Sequence, residues 1–420
     1  MQTFTRRGRR AADGYACALL TVLWLFLPYG GYGRMMEGKY VCYLLLTLGA
    51  LGIMTDAAAR GGLYDAERMT PAKWLAAAYL GFSALSAAFS PYGAQTLLGG
   101  TRRDGLLTLT LYVLSFFLLS LFLRGRRRLL LLTMISALIC DLLILVQLAG
   151  WNPLGLYPQG LNYYDGDIAY PGFYAGTSGN IDFTAFLLAL AVCVLAAAVV
   201  RLRLWQAVPV LLLTIWTLYR LGVAAAWAGV GFAAVWGLAL LFPRYRGRML
   251  CLSALLSAAA LLFLYFFGGE SGTPAEAARL LRGEADGAFG SGRLAIWRDC
   301  LHLAAQRPLL GGGPDTLWLR GIEPFAWLHN GEVVPADITA AHNEYLNILV
   351  NQGALALLAY LGLLAVSLTR CFRRARRERY AVCGMGLLCY AAMAPFSISS
   401  CITAPYVWLL LVLCNLDDSD

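Results

Sequence analysis

The sequence predicts an all-α polytopic membrane protein with about twelve transmembrane helices, and three observations carry that prediction. Hydrophobic residues make up 60% of the chain and charged ones 14%, whereas a soluble domain is roughly a quarter charged. So little polar surface cannot cover a water-facing exterior, so the chain needs lipid as its solvent. Apolar runs of about 20 residues, enough to cross a hydrocarbon core ~30 Å thick, recur along the whole length. The Lys and Arg residues, finally, collect in short clusters between alternate runs.

Taken in order, the spans fall at roughly 15–33, 38–55, 72–90, 105–123, 129–149, 181–200, 205–220, 222–242, 249–267, 343–369, 380–397 and 402–416. With the N-terminus inside, segments 1–14, 56–73, 124–128, 201–203, 243–248 and 370–379 hold 22 of the 33 Lys and Arg. Of the other 11, six lie in one long loop, 268–341, a length largely exempt from the positive-inside rule. An even number of spans with both termini cytoplasmic follows. The organisation is then 1–267 with nine spans, an extracytoplasmic loop 268–341 with short amphipathic helices, and 342–420 with three spans.

The start, Arg6-Arg7-Gly8-Arg9-Arg10 before an apolar run, has the charge of a signal peptide, but Pro28-Tyr29-Gly30 replaces the small-residue cleavage pattern. A retained first helix is expected. The net charge of +9 reports orientation rather than a nucleic-acid partner, because its positives flank apolar runs. Eleven cysteines, most inside apolar runs and none in a CxxC, predict neither a disulfide framework nor a metal site.

Outside cations run against the orientation bias and are candidates for holding an anion. They include Arg102 and Arg103 before the fourth span, Arg220 at the end of the seventh, and Arg279, Arg282, Arg293, Arg298, Arg307 and Arg320 in the long loop. The loop carries a helical candidate at 274–282 and a second one that Ser291 caps, with Leu294, Trp297, Leu301 and Ala304 at helical spacing. Pro308 and Gly311-Gly312-Gly313-Pro314 end it. Arg293 and Trp297 share a face at i, i+4. At the mouth of the tenth span stands Ala341-His342-Asn343-Glu344-Tyr345. Gly353, eleven residues on, is expected three helical turns below His342 on the same face, where it admits a neighbouring helix. Asn343, Asn347 and Asn351 add a polar strip that must face protein or a cavity. Asp141, inside the fifth span, must face protein for the same reason.

These residues resemble the O-antigen ligase and polymerase family of membrane glycan transferases. His342-Asn343, nine residues and Gly353 is similar to the family's His-Asn-x9-Gly signature after its long loop. Gly292-Arg293-Leu294-Ala295-Ile296-Trp297, continuing to Arg307-Pro308-Leu309-Leu310-Gly311-Gly312-Gly313-Pro314, resembles its Gly-Arg-x-x-x-Trp and Pro-x-x-Gly-x-Gly-Pro elements. Gly176-Thr177-Ser178-Gly179-Asn180 and Gly100-Thr101-Arg102-Arg103-Asp104-Gly105-Leu106 resemble two further elements. The likeness spans about 95–420. Where the family usually has Ser-Arg-Gly, this chain has Tyr219-Arg220-Leu221-Gly222, which keeps the arginine and changes its neighbours.

The resemblance implies a GT-C-like glycosyltransferase architecture in the bacterial cytoplasmic (inner) membrane. It also implies a donor glycan on polyprenyl (undecaprenyl) diphosphate, and an acceptor hydroxyl on a glycan, lipid, wall polymer or protein. Guanidinium forks suit the diphosphate because they bind its oxygens bidentately and stay charged. Arg220 and Arg293, then Arg102 and Arg103, are the candidates. Lipid headgroups compete for the same cations. His342 is the candidate general base, or, if protonated, a further diphosphate ligand. Asn343, Asn180, Trp297 and Tyr345 are candidates for orienting groups, with helix capping as the competing role for Asn343 and Asn180. Asp165, Asp167 and the rings of Trp151, Tyr157, Tyr163, Tyr164, Tyr170 and Tyr174 share one loop, as a sugar platform or an interfacial belt. No carboxylate cluster stands out, so transfer is expected to need no metal or cofactor and to invert the anomeric centre. The competing class is a flippase or transporter; the halves show no similarity of the kind repeat-built transporters carry.

Overall fold

The computed structural model describes residues 2–28, 34–61, 69–124, 126–151, 163–165, 168–170, 176–269, 272–284, 289–322, 325–329, 332–336 and 338–416. The helices are α1 Gln2–Ala18, α2 Met35–Gly61, α3 Pro71–Ala88, α4 Gln95–Leu98, α5 Leu106–Phe122, α6 Arg126–Leu148, α7 Ile181–Leu202 and α8 Val208–Leu221. They continue with α9 Ala224–Trp236, α10 Leu238–Leu241, α11 Arg246–Phe267, α12 Gly272–Arg282, α13 Phe289–Gln306, α14 Glu344–Arg374, α15 Glu378–Met393 and α16 Ala404–Asn415. Each apolar segment read from the sequence contains a helix. Among the described residues five helices are long and apolar enough to cross a membrane: those at 35–61, 127–148, 181–202, 243–267 and 344–374. The chain is a helical membrane protein.

Two short antiparallel hairpins, absent from the all-α expectation, stand outside the helices. The first pairs β1 Tyr163–Asp165 with β2 Ile168–Tyr170; the second pairs β3 Phe325–His329 with β4 Glu332–Ala336. Tyr157, Asp167 and Tyr174 lie outside the described residues.

Burial ranks the helices. In α7 83% of the apolar stretch is buried, against 6% in the last long helix before the loop. The first is therefore the centre of the bundle and α11 its lipid-facing edge. Around α7 pack α15, α8 and α9, and α3 packs along α14. The chain's start differs from expectation. Helix begins at Gln2, so the basic segment is itself helical, and α1 runs into a π turn at Leu19–Leu23. The helix ends at Leu25, and the last carbonyls of a helix have no intrahelical partners. The fully buried Lys39 supplies them: its Nζ donates to the Leu23 and Trp24 carbonyls at 2.7 and 2.8 Å. Asp141 faces protein, accepting hydrogen bonds from the Thr214 and Thr217 hydroxyls of α8, both at 2.6 Å.

The helix α14 is where the sequence misleads. Gly353 has φ 86° and ψ 175°, so the helix is interrupted there. The register that set Gly353 three turns under His342 does not exist. What approaches Gly353 is the loop at 308–313, not a helix. The Ala354 and Leu355 N–H groups donate to the Pro308 and Leu309 carbonyls, and the Gly312 and Gly313 N–H groups to those of Val350 and Asn351. Any Cβ on Gly353 would collide with the Leu309 backbone. Broken helix within a membrane protein is tolerated only where protein re-satisfies the freed groups, and this loop does so.

Candidate active site

The long loop is docked onto the start of α14. Ile296, Cys300 and Ala304 of α13 join Leu317, Ala341, Leu346 and Val350 in a small apolar core of their own. The helix α13 starts at Phe289, two residues before the expected Ser291 cap, and Gly290 and Gly292 have positive φ in its first turn. From it, Trp297 Nε1 donates to the Ala341 carbonyl at 3.0 Å. The Asn347 side chain accepts from the Ala341 N–H at 3.3 Å. Ala341 is thus held from both sides, and the chain turns sharply after it. His342 takes φ +48°, a left-handed conformation uncommon for a residue with a side chain. Asn343 then caps α14, its Oδ1 accepting from the Leu346 N–H.

A second loop meets this one. Asp315 accepts the N–H groups of Gly100 (2.8 Å) and Asp104 (3.2 Å) on one carboxylate oxygen. Gly99, with φ +75°, has no room for a Cβ against that carboxylate. The segment 99–105 therefore wraps around Asp315 and displays Arg102. Burial lifts the Asp315 carboxyl to about 6, with the two N–H donors and Arg102 pulling the other way. Asp104, raised by burial and by Asp315, accepts from the Tyr112 hydroxyl at 2.8 Å. Burial pushes the Arg102 guanidinium down from its ordinary value, and Asp315, Asp104, Glu344 and Asp182 oppose this. Its Nε is buried without a hydrogen-bond partner among the described residues.

The charges of Arg102 and Arg293 both act on His342. Burial, then those two charges in that order, hold the imidazole down at about 3. It is neutral at any physiological pH. Asp182, in the first turn of α7, also lies in the field of Arg293 and Arg102. The other candidates sit apart or have local tasks. Arg220 is exposed at the end of α8, its guanidinium 5.5 Å from the Trp216 ring centre, and is not among the charges acting on His342. Arg103 turns to Glu37 at 3.5 Å and to the Tyr40 ring. Asn180 caps α7 through the Asp182 and Phe183 N–H groups. The Tyr345 hydroxyl donates to the Ala391 carbonyl at 2.9 Å.

Three further outside cations are engaged with backbone. Arg320 donates to the Val350 carbonyl at 2.6 Å, Arg307 to Phe89 at 3.1 Å and Arg282 to Tyr265. The Val350 carbonyl belongs to the break in α14, so Arg320 is part of its repair. The Asn strip is structural as well. Asn351 Oδ1 accepts from the Thr316 N–H, and its Nδ2 donates to Asn347. Sequence reasoning did not single out Asp315, Asp104 or Glu344. Glu344 is buried and accepts the Ser399 N–H and hydroxyl at 3.0 and 2.7 Å, which ties α14 to the segment before α16. Asp315 follows the Gly-Gly-Gly-Pro turn directly, and that adjacency is the one signal available for it.

Residues 208–361 match the family model described as O-Antigen ligase. No curated protein matches the chain at a significant level. The matched stretch runs from α8 into α14 and contains Arg220, Arg293, His342 and Gly353, while Arg102 precedes it. Over residues 208–361, this chain is similar to the O-antigen ligase family.

Proposed function

We propose that this protein transfers a glycan from a polyprenyl diphosphate to an acceptor hydroxyl at the outer face of the bacterial cytoplasmic membrane, with twelve spans and both termini cytoplasmic. One observation carries the proposal: a neutral, half-buried imidazole at a helix mouth, in the combined field of two arginines. Arg102 and Arg293 hold the diphosphate, and the unmatched Arg102 Nε is a donor ready for a phosphate oxygen. Anion binding offsets the positive field that disfavours protonation of His342. The acceptor oxygen then attacks the anomeric carbon from the face opposite the diphosphate. The new C–O bond forms as the bond to the diphosphate oxygen breaks, the acceptor proton passes to His342, and polyprenyl diphosphate leaves. Trp297 and Asn347 act by fixing Ala341 and so the position of His342. The exposed Arg220 sits where it can meet a donor arriving from lipid.

The family match supports the transferase class; the acceptor decides between ligase and polymerase. The test uses purified full-length protein in detergent with labelled lipid-diphosphate glycan. Wild type forms a transfer product, and His342→Ala lowers its rate at least about 100-fold, the lower bound for losing a general base. Movement of the glycan lipid across vesicles with no product from wild type would assign the chain to transport instead.

A further inference from the structure

A cavity lies away from the proposed site. It is a cleft of about 290 Å³ between the segment of Leu20 and Trp24, α6, α7, α15 and α16. Its walls are aliphatic, with Leu20, Leu129, Leu187, Ala191, Val382 and Leu410 among them. Along α7 the lining runs from Leu187 to Leu202, about 22 Å at 1.5 Å per residue. That exceeds half of a ~30 Å hydrocarbon core, the depth reached by one leaflet's acyl chains.

The two ends of the cleft differ. Trp24 and Tyr406 stand at the end towards the long-loop side. Their rings meet edge to face with centres 5.7 Å apart, and the Tyr406 hydroxyl is fixed to the Leu19 carbonyl. At the opposite end stand Arg127, Arg379 and Glu378. They belong to the basic runs 124–128 and 370–379, which face the cytoplasm in the orientation proposed above. An apolar cavity of this kind stays dry, and a void would forfeit the dispersion contacts of its whole lining. Net positive charge at its mouth matches the negative cytoplasmic leaflet.

We propose that this cleft binds one acyl chain of an anionic phospholipid from the cytoplasmic leaflet, with the headgroup held by Arg127, while Arg379, fixed by the Tyr380 hydroxyl and the Leu416 carbonyl, adds its charge. The assignment rests on the orientation proposed above and is independent of the transfer chemistry, so loss of either leaves the other testable. The site is separate from the donor site, because the ring pair stands between it and the long-loop end.

Full-length protein is stripped of lipid in neutral detergent and titrated with phosphatidylglycerol or phosphatidylcholine of identical chains. Native mass spectrometry reads the retained lipid, and thermal unfolding reads stabilisation. Wild type retains one phosphatidylglycerol and prefers it to phosphatidylcholine. Arg127→Gln, at an exposed position, lowers that preference about fivefold, the worth of one surface cation. Ala191→Phe fills the cleft and abolishes retention. Equal retention of both lipids by wild type, or an unchanged preference in Arg127→Gln, overturns the proposal. The arginine variant decides it even where Ala191→Phe does not fold.

Discussion

An imidazole in water takes up a proton near pH 6.5. At His342 burial and the charges of Arg102 and Arg293 oppose that proton, and the value falls to about 3. The sign matters for mechanism. A general base must be neutral, and a depressed value keeps it neutral as pH falls through the ordinary histidine range. For the free protein, kcat/KM should therefore show no step from His342 between about pH 7.5 and about pH 5, and the group that titrates in that window is Asp315, at about 6. An acid limb with a midpoint near 6.5 that persists in Asp315→Asn would show that His342 is not so placed, or is not the base. Arg102→Gln removes one opposing charge and should move the acid limb to higher pH. Arg293→Lys keeps the charge but loses the fork. The KM for donor should rise about tenfold or more, the worth of one charged hydrogen bond, with unfolding temperature unchanged. An unchanged KM removes Arg293 from donor binding.

At the scale of elements, the site depends on a broken helix. Gly353 opens α14, the loop at 308–313 fills the gap, Arg320 takes the Val350 carbonyl, and Asp315 farther along the same loop gathers 99–105. The arginine from one loop and the histidine from the other are thereby registered against each other through α14. Gly353→Ala forces a side chain onto φ 86° and against Leu309. Backbone strain alone costs about 1–3 kcal/mol, and donor affinity should fall together with the unfolding midpoint. Gly81→Ala in α3, where a Cβ meets nothing, is the control and should stabilise by up to about 1 kcal/mol. Equal effects of the two would mean the break carries no weight. The contact of α6 with α8 has a comparable anchor in Asp141. Asp141→Ala leaves the Thr214 and Thr217 hydroxyls without that acceptor and should cost about 1–3 kcal/mol in thermal or denaturant unfolding; no change would show the pair to be unimportant for packing.

For the molecule as a whole, the proposed orientation sets 124–128, 243–248 and 370–379 on the cytoplasmic side and the long loop opposite. A reporter enzyme active only outside the cytoplasm should work when fused after 282 and fail when fused after 248 or 376. The reverse pattern would invert the protein and displace both the donor site and the lipid cleft. The centre of the bundle, α7, joins these sites. Its first turn faces Arg293 and Arg102, and its remainder lines the cleft.

The sequence by itself determined the helices and the short list of chemical groups. Helix location follows from local apolar length, which neighbouring residues carry alone, and Arg293, Trp297, His342 and Gly353 stand out through spacing within one stretch of chain. It also required a protein-facing Asp141. The tertiary structure decided which groups meet. The charge of Arg102 acts on His342 from some 240 residues away in sequence because Asp315 folds its loop, and Arg103 and Arg220 are turned elsewhere. It decided, too, that the partner of Gly353 is a loop backbone rather than a helix. Hydropathy and periodicity report the surroundings a segment needs. They do not name the distant carbonyl, carboxylate or guanidinium that supplies them, because each such pairing depends on how several helices pack at once.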